Sequence, residues 1–190
     1  NQTKYKNFSK KIEKKKKYFI SVGRLTRQKN FSYLINEFFE FSKTNKEIDL
    51  LIFGYGDEKK YLLKIIKKKN LTNRIFLMGH SPGIYSFMKK AEAFILSSLW
   101  EEPGFVLIEA AISNLFIISS DCPNGPKEFL KNGKAGFLYE SNKKGALKEK
   151  LDKFYTLGNE SKQKKIEAKK NCFDYTMFRH NLFLTKIICH

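Results

Sequence analysis

The sequence predicts an α/β protein built on a Rossmann-like, doubly wound parallel sheet of about six strands, followed by a helical C-terminal tail. Short apolar runs of strand length alternate along the chain with segments of helical period. The strand-length runs are apolar at consecutive positions, which is typical of strands covered by helices on both faces. A chain of 190 residues with 42% hydrophobic residues is also large and apolar enough to form a compact domain.

The first strand and helix illustrate the pattern. Residues 18–22 form a strand-length run of aromatic and β-branched residues, and the segment 31–41 places Leu34, Ile35 and Phe38 on one helical face. The alternation continues with predicted strands at 48–53, 75–78, 94–97, 116–120 and 136–139, and with predicted helices at 58–68, 84–91, 105–112 and 127–131. Right-handed crossovers between parallel strands turn such an alternation into a doubly wound sheet.

The two ends of the chain differ from this pattern. Residues 1–17 are polar and charged without an apolar period, so we expect a linker there. From about residue 141 the sequence is helical and rich in lysine, and we expect residues 157–190 to form the helical tail. The sheet domain is therefore predicted to span residues 18–156.

Composition excludes several classes of protein. No apolar run reaches the roughly 20 residues that a membrane-spanning helix needs, and no apolar segment follows the N-terminal charges as in a signal peptide. The three cysteines, Cys122, Cys172 and Cys189, are scattered and odd in number. We therefore expect neither a disulfide framework nor a structural zinc site, and we expect a reducing compartment.

The net charge of +18 is compatible with several kinds of partner. Lysine runs at 14–17, 67–69 and 162–170 can attract nucleic acid, anionic lipid or phosphorylated substrates. A lysine-rich composition on solvated faces explains the same runs without any partner. Charge alone therefore does not decide the function.

The loop after the first predicted strand carries two cations. Because ligands bind beyond the carboxyl ends of the strands in an open parallel sheet, residues in these loops are candidates for a binding site. Gly23 lets the chain turn, Asn30 can cap the following helix, and Arg24 and Lys29 suit a diphosphate group. A loop of this kind can also carry surface Arg and Lys without a ligand.

The loops after the second and third strands are rich in glycine. Gly54 and Gly56 would let the backbone approach a ligand, although they do not complete a dinucleotide-binding motif. Met78 and Gly79 end the third strand, where backbone groups can contact a base edge. We expect the adjacent His80 to be a polar loop residue and not a catalytic base.

The loop after the fourth strand contains two acids eight residues apart. Glu101 precedes the predicted helix, and Glu109 lies one to two turns inside it. The first amides of that helix, at Gly104, Phe105 and Val106, form an anion-binding terminus, and one carboxylate can accept both hydroxyls of a ribose. The helix dipole alone also favours acids near this end, but a carboxylate at position 109, in an otherwise apolar helix, needs a partner.

The segments VGRL…QKN, FGYG, LMGH, SLWEEPGFVLIEA and SSDCPNGPKEFL…GFLY together resemble a known family. They look like the nucleotide-sugar-binding C-terminal half of retaining GT-B glycosyltransferases of family GT4, also called group 1, including its E-x7-E motif. The resemblance covers about residues 19–155. It implies that the sheet is one half of a GT-B fold, that residues 18–156 bind the sugar donor, and that residues 1–17 are the remnant of an interdomain linker.

The resemblance also implies roles for individual residues. Arg24 and Lys29 match the pair that contacts the donor diphosphate, and Glu101 matches the acid beside the donor sugar, so these three are the predicted catalytic residues. The predicted donor-binding residues are Gly23, Gly54, Gly56, Met78, Gly79, Glu102, Gly104, Phe105, Val106 and Glu109, the last of which matches the acid that holds the ribose. Where many relatives read E-G-F-G, this chain has Glu102 and Pro103 after the first acid. Since proline has no N–H, Glu102 is an alternative sugar contact, and the choice between the two acids stays open.

The implied activity is that of a hexosyltransferase. It would move a sugar from a UDP- or GDP-linked donor to a glycan or lipid-linked acceptor in polysaccharide biosynthesis, with retention at the anomeric carbon. No DxD motif is present, so we expect neither a metal nor another cofactor. A glycogen or sucrose synthase relative would share this site and differ in its acceptor.

The resemblance further implies that the acceptor binds to an N-terminal domain that this chain lacks. We therefore expect the chain alone to be inactive or weakly active, and to be cytoplasmic, with peripheral contact to an anionic membrane at the inner face of the cytoplasmic membrane. The alternative is a Rossmann-like nucleotide- or nucleic-acid-binding module without transferase activity. We expect no specific nucleic acid, because the sequence has neither an RNP-like nor a helix-turn-helix signal.

Overall fold

The computed structural model describes residues 17–102 and 104–175. The predictions for residues 1–16, for Pro103 and for residues 176–190 lie outside the described residues. Lys17 was expected in the linker, but it already pairs with Ile48 in the sheet, so the first strand begins one residue earlier than predicted.

The described residues form a six-stranded, entirely parallel sheet. The strands are β1 (Lys17–Val22), β2 (Ile48–Phe53), β3 (Ile75–Gly79), β4 (Ala93–Leu96), β5 (Phe116–Ser120) and β6 (Phe137–Tyr139). Their order is β3-β2-β1-β4-β5-β6, which confirms the predicted Rossmann-like, doubly wound sheet. The chain reverses its direction of travel across the sheet between β1 and β4, and a crevice opens at the carboxyl ends of strands at such a point.

Seven α-helices are present in the described part of the chain. They are α1 (Phe31–Ser42), α2 (Lys59–Lys68), α3 (Ile84–Met88), α4 (Phe105–Ile112), α5 (Pro126–Phe129), α6 (Ala146–Phe154) and α7 (Asn159–Asn171). Short 3-10 turns occupy Arg27–Lys29 and Cys172–Tyr175. The helices α3 and α5 are shorter than predicted, and none of the described helices is long and apolar enough to cross a bilayer.

Two apolar layers, one on each face of the sheet, explain why the strands are apolar at consecutive positions. Alternate residues of a strand point to opposite faces. On β1, Phe19 belongs to the core with α1, α2 and α6, and Ile20 belongs to the core with α4, α5 and α7. The helix α7 confirms the predicted helical C-terminal region, and it buries Ala168 and Asn171 against the domain.

The loops that follow β1 and β2 lie against each other. The N–H of Gly23 donates to the carbonyl of Phe53 at 3.0 Å, and the N–H of Leu25 donates to the carbonyl of Tyr55 at 2.9 Å. A Cβ on Gly54 would lie 1.8 Å from the carbonyl oxygen of Gly23, and one on Gly56 would lie 2.4 Å from that of Leu25. Contact between two chain segments therefore requires both glycines, whereas sequence analysis gave them only a role toward a ligand.

We expect Gly54→Ala to lower the free energy of unfolding by about 3 kcal/mol or more, because the new Cβ meets a backbone oxygen and φ is +137°. The matched control is Gly83→Ala, because the nearest atom to the new Cβ would lie 3.9 Å away and φ is −92°. We expect this variant to change the free energy of unfolding by less than about 0.5 kcal/mol. Urea unfolding of the unchanged protein and of the two variants measures both changes in the free energy of unfolding. Equal stability of the two variants would contradict the close loop contact.

Candidate functional site

A cleft of about 280 Å³ opens at the carboxyl ends of β1, β2 and β3 and is bounded by α4. It is lined by Val22, Gly23, Arg24, Phe53, Gly54, Tyr55, Gly79, His80, Ser81, Ile84 and Glu109. The structure thus brings five predicted site residues, Gly23, Arg24, Gly54, Gly79 and Glu109, into one cavity. The cavity lies where sequence reasoning placed the binding site.

Arg24 supplies the positive charge of this cleft. It is the second residue after β1, and its side chain is exposed. It forms no ion pair with any residue that the structure describes. A guanidinium held open at the end of a strand is suited to a bidentate contact with phosphate.

Glu109 supplies the negative charge of the cleft. It projects from α4 and is half-buried, and burial raises the pKa of its carboxyl. Within residues 17–102 and 104–175 the Glu109 carboxylate has neither a hydrogen-bonding nor an ion-pair partner. A half-buried carboxylate without a protein partner favours a ligand that donates hydrogen bonds to it.

Lys29 and Glu101 form a buried ion pair beside the cleft. The Lys29 Nζ atom lies 2.6 Å from Glu101 Oε1 and 2.7 Å from Oε2, and the two side chains are 14% and 3% exposed. The aliphatic part of Lys29 passes over Gly23, 3.2 Å from where a Cβ would be. Gly23 lines the cleft whereas Lys29 and Glu101 do not, so the ion pair lies next to a lining residue and outside the lining of the cavity that holds Arg24 and Glu109.

Buried serines support this ion pair, and sequence reasoning missed them. Ser98 Oγ donates a hydrogen bond to Glu101 Oε1, and Ser97 Oγ donates to the backbone carbonyl of Lys29 at 2.7 Å. Ser120 Oγ donates in turn to the carbonyl of Ser98 at 2.7 Å. The available signal was a pair of polar residues at the end of an apolar strand, three residues before an acid.

The helix α4 begins at the position predicted for an anion-binding terminus. Gly104 precedes the helix with φ of 70°, and its carbonyl accepts the N–H of Leu107 at 2.9 Å. Phe105 is exposed and Val106 is half-buried, and neither side chain lines the cleft. The first N–H groups of a helix have no partner within the helix, so this end can accept an anion.

Three further candidates, Gly56, Met78 and Glu102, do not line the cleft. Glu102 is exposed, whereas Glu101 is buried against Lys29. The two acids therefore have different surroundings, and both remain candidates for contact with a sugar. Met78 is half-buried on β3.

Tyr55 and His80 form an aromatic edge of the cleft that sequence analysis did not anticipate. Their ring centroids are 6.3 Å apart with the rings edge to face, and Tyr55 is 67% exposed. Exposed aromatic faces of this kind are suited to stacking against a planar base. The two residues follow different strands, so their proximity arises from the sheet order.

The predicted N-cap of α1 is at the expected residue, but the expected capping hydrogen bond is wrong. Asn30 does occupy the N-cap position, in the left-handed conformation with φ of 49°, but its side chain makes no capping hydrogen bond. Its amide donates instead to Asn142 Oδ1 at 3.1 Å. A link to the loop before α6 has replaced the local cap.

The described residues contain no group of three or more His, Cys, Asp or Glu side chains that could hold a metal ion. The expectation that no cofactor is needed stays a prediction.

An entirely parallel sheet in this order is the arrangement of Rossmann-like proteins, whose ligands bind in the crevice at the switch point, and Arg24 and Glu109 line the cleft there. Within that class the chain belongs to the glycosyl transferases group 1 family, whose model matches residues 2–171. The predicted membership of the group 1 glycosyltransferases is therefore confirmed.

Two relatives illustrate the similarity in sequence. The chain is 40% identical over 112 residues to an uncharacterised glycosyltransferase of Methanocaldococcus jannaschii, covering 59% of this chain and 28% of that protein. It is 31% identical over 136 residues to the N-acetylgalactosamine-N,N'-diacetylbacillosaminyl-diphospho-undecaprenol 4-alpha-N-acetylgalactosaminyltransferase of Campylobacter jejuni, covering 72% of this chain and 36% of that protein. The chain spans about a third of the length of the curated relatives it matches.

Two solved structures show the same fold. Anabaena HepE in complex with UDP superposes with a TM-score of 0.80 at 18% identity, over 94% of this chain and 51% of that one. The C-terminal domain of the group 1 glycosyl transferase LpcC from Francisella tularensis gives a TM-score of 0.75 at 19% identity, over 87% of this chain and 90% of that domain. These likenesses confirm the predicted fold, one half of the GT-B architecture.

We expect Glu109→Gln to stabilise the protein increasingly as the pH rises from about 4 to about 7. Burial raises the pKa of Glu109 in the folded state, so the folded state binds the proton more tightly than the unfolded state does. The stability that this proton provides is present below the unfolded-state pKa and is lost as the pH rises through the folded-state pKa, and glutamine avoids that loss.

Urea unfolding of the unchanged protein and of Glu109→Gln at the two pH values measures the difference in their free energies of unfolding. This difference should persist at high salt, because salt screens a charge pair but not the cost of desolvating a carboxylate. A difference that is independent of pH would contradict the desolvated carboxylate.

Proposed function

We propose that this chain is the donor-binding domain of a retaining glycosyltransferase of the GT4 type. The enzyme would transfer a sugar from a UDP- or GDP-linked donor to a glycan or lipid-linked acceptor in polysaccharide biosynthesis. The observation that carries the proposal is the cleft in which Arg24, an open cation, and Glu109, an unpartnered carboxylate, line the same cavity. A nucleoside diphosphate offers complementary groups to both.

The nucleoside half of the donor fits the inner part of the cleft. The two ribose hydroxyls donate to the Glu109 carboxylate, which gives this half-buried group the hydrogen bonds that it lacks. The base lies toward Tyr55 and His80, whose rings offer a surface for stacking. HepE, which has the same fold, was solved with UDP bound, and this supports UDP as one donor nucleotide.

The diphosphate fits the loop after β1. Arg24 contacts its oxygens, and the N–H groups at the start of α4 add a partial positive charge. Lys29 lies on the same loop and contributes its ammonium group as negative charge develops on the departing phosphate. In this proposal two side-chain cations stabilise the departing phosphate, in keeping with the expectation that no metal is needed.

Transfer with retention needs no protein nucleophile in this scheme. The bond from the anomeric carbon to the phosphate oxygen breaks, and the bond to the acceptor oxygen forms on the same face of the sugar. The acceptor hydroxyl gives its proton to the departing phosphate. Glu101, or Glu102 at the exposed position beside it, holds the hydroxyls of the sugar.

The acceptor is bound by a second domain outside this chain. The similarity supports this arrangement because the chain corresponds to about a third of its relatives. The Campylobacter relative is named for an acceptor linked to diphospho-undecaprenol, which supports a lipid-linked glycan as the acceptor class.

We expect Arg24→Ala and Glu109→Ala each to weaken the binding of UDP or GDP at least tenfold, since each removes a charge-assisted contact. Isothermal titration calorimetry at about 0.15 M salt measures the affinities. Arg27→Ala is the matched control, because Arg27 lies on the same loop, is exposed, and does not line the cleft. It should bind the nucleotide as the unchanged chain does.

Binding of a short oligonucleotide without binding of either nucleotide would overturn the proposal in favour of a nucleic-acid-binding module. Equal loss of affinity in Arg24→Ala and Arg27→Ala, with no loss in Glu109→Ala, would show that net charge, and not the cleft, holds the nucleotide.

Contact with an anionic membrane at the inner face of the cytoplasmic membrane is supported by one helix face. Five lysines of α2, all exposed, form no ion pair with a described residue; they are Lys59, Lys60, Lys64, Lys67 and Lys68. By contrast, Lys143, Lys148 and Lys170 pair with acids three or four residues away. The exposed side chains of Tyr61 and Leu63 lie among these lysines, which makes the face both cationic and partly apolar.

Replacing Lys60, Lys64 and Lys67 by Gln should weaken binding to vesicles that contain phosphatidylglycerol by about tenfold or more, since each lysine near an anionic surface contributes about 1 kcal/mol. Sedimentation with vesicles, compared with phosphatidylcholine alone, measures this. The control variant replaces Lys143, Lys148 and Lys170 by Gln, which makes the same change in net charge. If both variants bind equally, α2 is not the contact surface.

A further inference from the structure

The hydroxyl of Ser98 lies beside the ion pair of Lys29 and Glu101 and forms a hydrogen bond with it. Ser98 follows β4 and is fully buried, and its Oγ donates to Glu101 Oε1. Oε1 therefore receives two donors, Ser98 and the Lys29 ammonium, whereas the ammonium, at 2.7 Å, is the only donor to Oε2 among the described residues. The two oxygens of one carboxylate are thus unequal, and Oε2 has the free acceptor capacity.

The backbone of Ser98 is itself fixed from two directions. Its carbonyl accepts Ser120 Oγ, from β5, at 2.7 Å and Ser141 Oγ at 3.3 Å. The Glu101 N–H donates to the carbonyl of Pro123 at 3.1 Å, so the backbone that carries the carboxylate is also held. These backbone contacts therefore fix the position of Ser98 relative to Glu101.

We propose that Ser98 is a positioning residue that holds Glu101 so that its Oε2 atom faces a hydroxyl of the donor sugar. The inference rests on the proposed function and goes beyond it, because it selects Glu101 over Glu102 as the sugar contact and assigns its orientation to a third residue. Ser98 touches neither substrate nor the reacting atoms.

A positioning residue is needed because Lys29 has two partners in the proposed complex, Glu101 and the diphosphate. In the structure, Lys29 is the only charged group that contacts Glu101 among the described residues. When a diphosphate binds beside it, the ammonium is attracted to the phosphate and its contact with Glu101 weakens. The Ser98 hydroxyl then keeps one hydrogen bond to the carboxylate and preserves its orientation in a site from which water is largely excluded.

Comparison of a nucleoside diphosphate with its sugar nucleotide isolates this role. A panel of UDP- and GDP-linked glucose, galactose, N-acetylglucosamine and mannose identifies the donor that binds most tightly, and its affinity is compared with that of UDP or GDP alone. In this proposal the sugar is the part of the ligand that Glu101 contacts, so the orientation of Glu101 affects the affinity for the sugar nucleotide more than the affinity for the nucleoside diphosphate. We expect Ser98→Ala to weaken the sugar nucleotide about tenfold and to leave the nucleoside diphosphate within about twofold.

A matched control is available in the same sheet. Ser21 is also buried, and its Oγ donates to the carbonyl of Ile95 on β4 at 2.6 Å without reaching Glu101. Ser21→Ala should leave the ratio of the two affinities unchanged. Ser98→Cys keeps a similar volume and only a weak donor, and it should show the same selective loss if the alanine variant does not fold.

The outcomes separate the two proposals. If the unchanged chain binds neither the nucleoside diphosphate nor any sugar nucleotide, the proposed function and the role of Ser98 both fail. If it binds both classes but the Ser98 variants keep the same ratio of affinities, donor binding stands and the role of Ser98 is overturned.

Discussion

The buried ion pair between Lys29 and Glu101 joins the two loops on which the candidate site is built. Removing two charges from water is costly, and the contact is retained here with both carboxylate oxygens engaged. The same two loops are joined through their backbones, where the N–H of Leu99 donates to the carbonyl of Gln28 at 2.8 Å. The loop after β1 and the loop after β4 therefore form one unit, and Gly23 and Arg24 of the first of these loops line the cleft.

The charges of the site fall into two groups with different roles. Lys29 and Glu101 pair with each other, so the positions of both side chains are set before any ligand binds. Arg24 and Glu109 have no such partner among the described residues, and they face a cavity of about 280 Å³. A ligand with both a phosphate and a diol would complete these contacts, and this is the basis for proposing a nucleotide sugar as the ligand.

Much of the fold and part of the site could be predicted from the sequence. Runs of apolar residues gave the six strands, and the rule for open parallel sheets brought Arg24 and Glu109 to one cleft. The hydrogen bond from Ser120 to the carbonyl of Ser98 and the contact of Tyr55 with His80 depend on which strands are neighbours, and a local pattern does not contain that information. For the same reason Gly54 was assigned to a ligand, although the adjacent loop already requires it. In α7 the sequence is lysine-rich and buries little, so its pattern did not reveal the face that packs on the domain.

The most direct test of the account is a crystal structure of the chain with a bound UDP or GDP sugar. The account predicts the ribose hydroxyls within about 3.2 Å of the Glu109 carboxylate and the diphosphate in contact with the Arg24 guanidinium. A nucleotide bound at another face of the sheet, or one in the cleft that touches neither side chain, would contradict it.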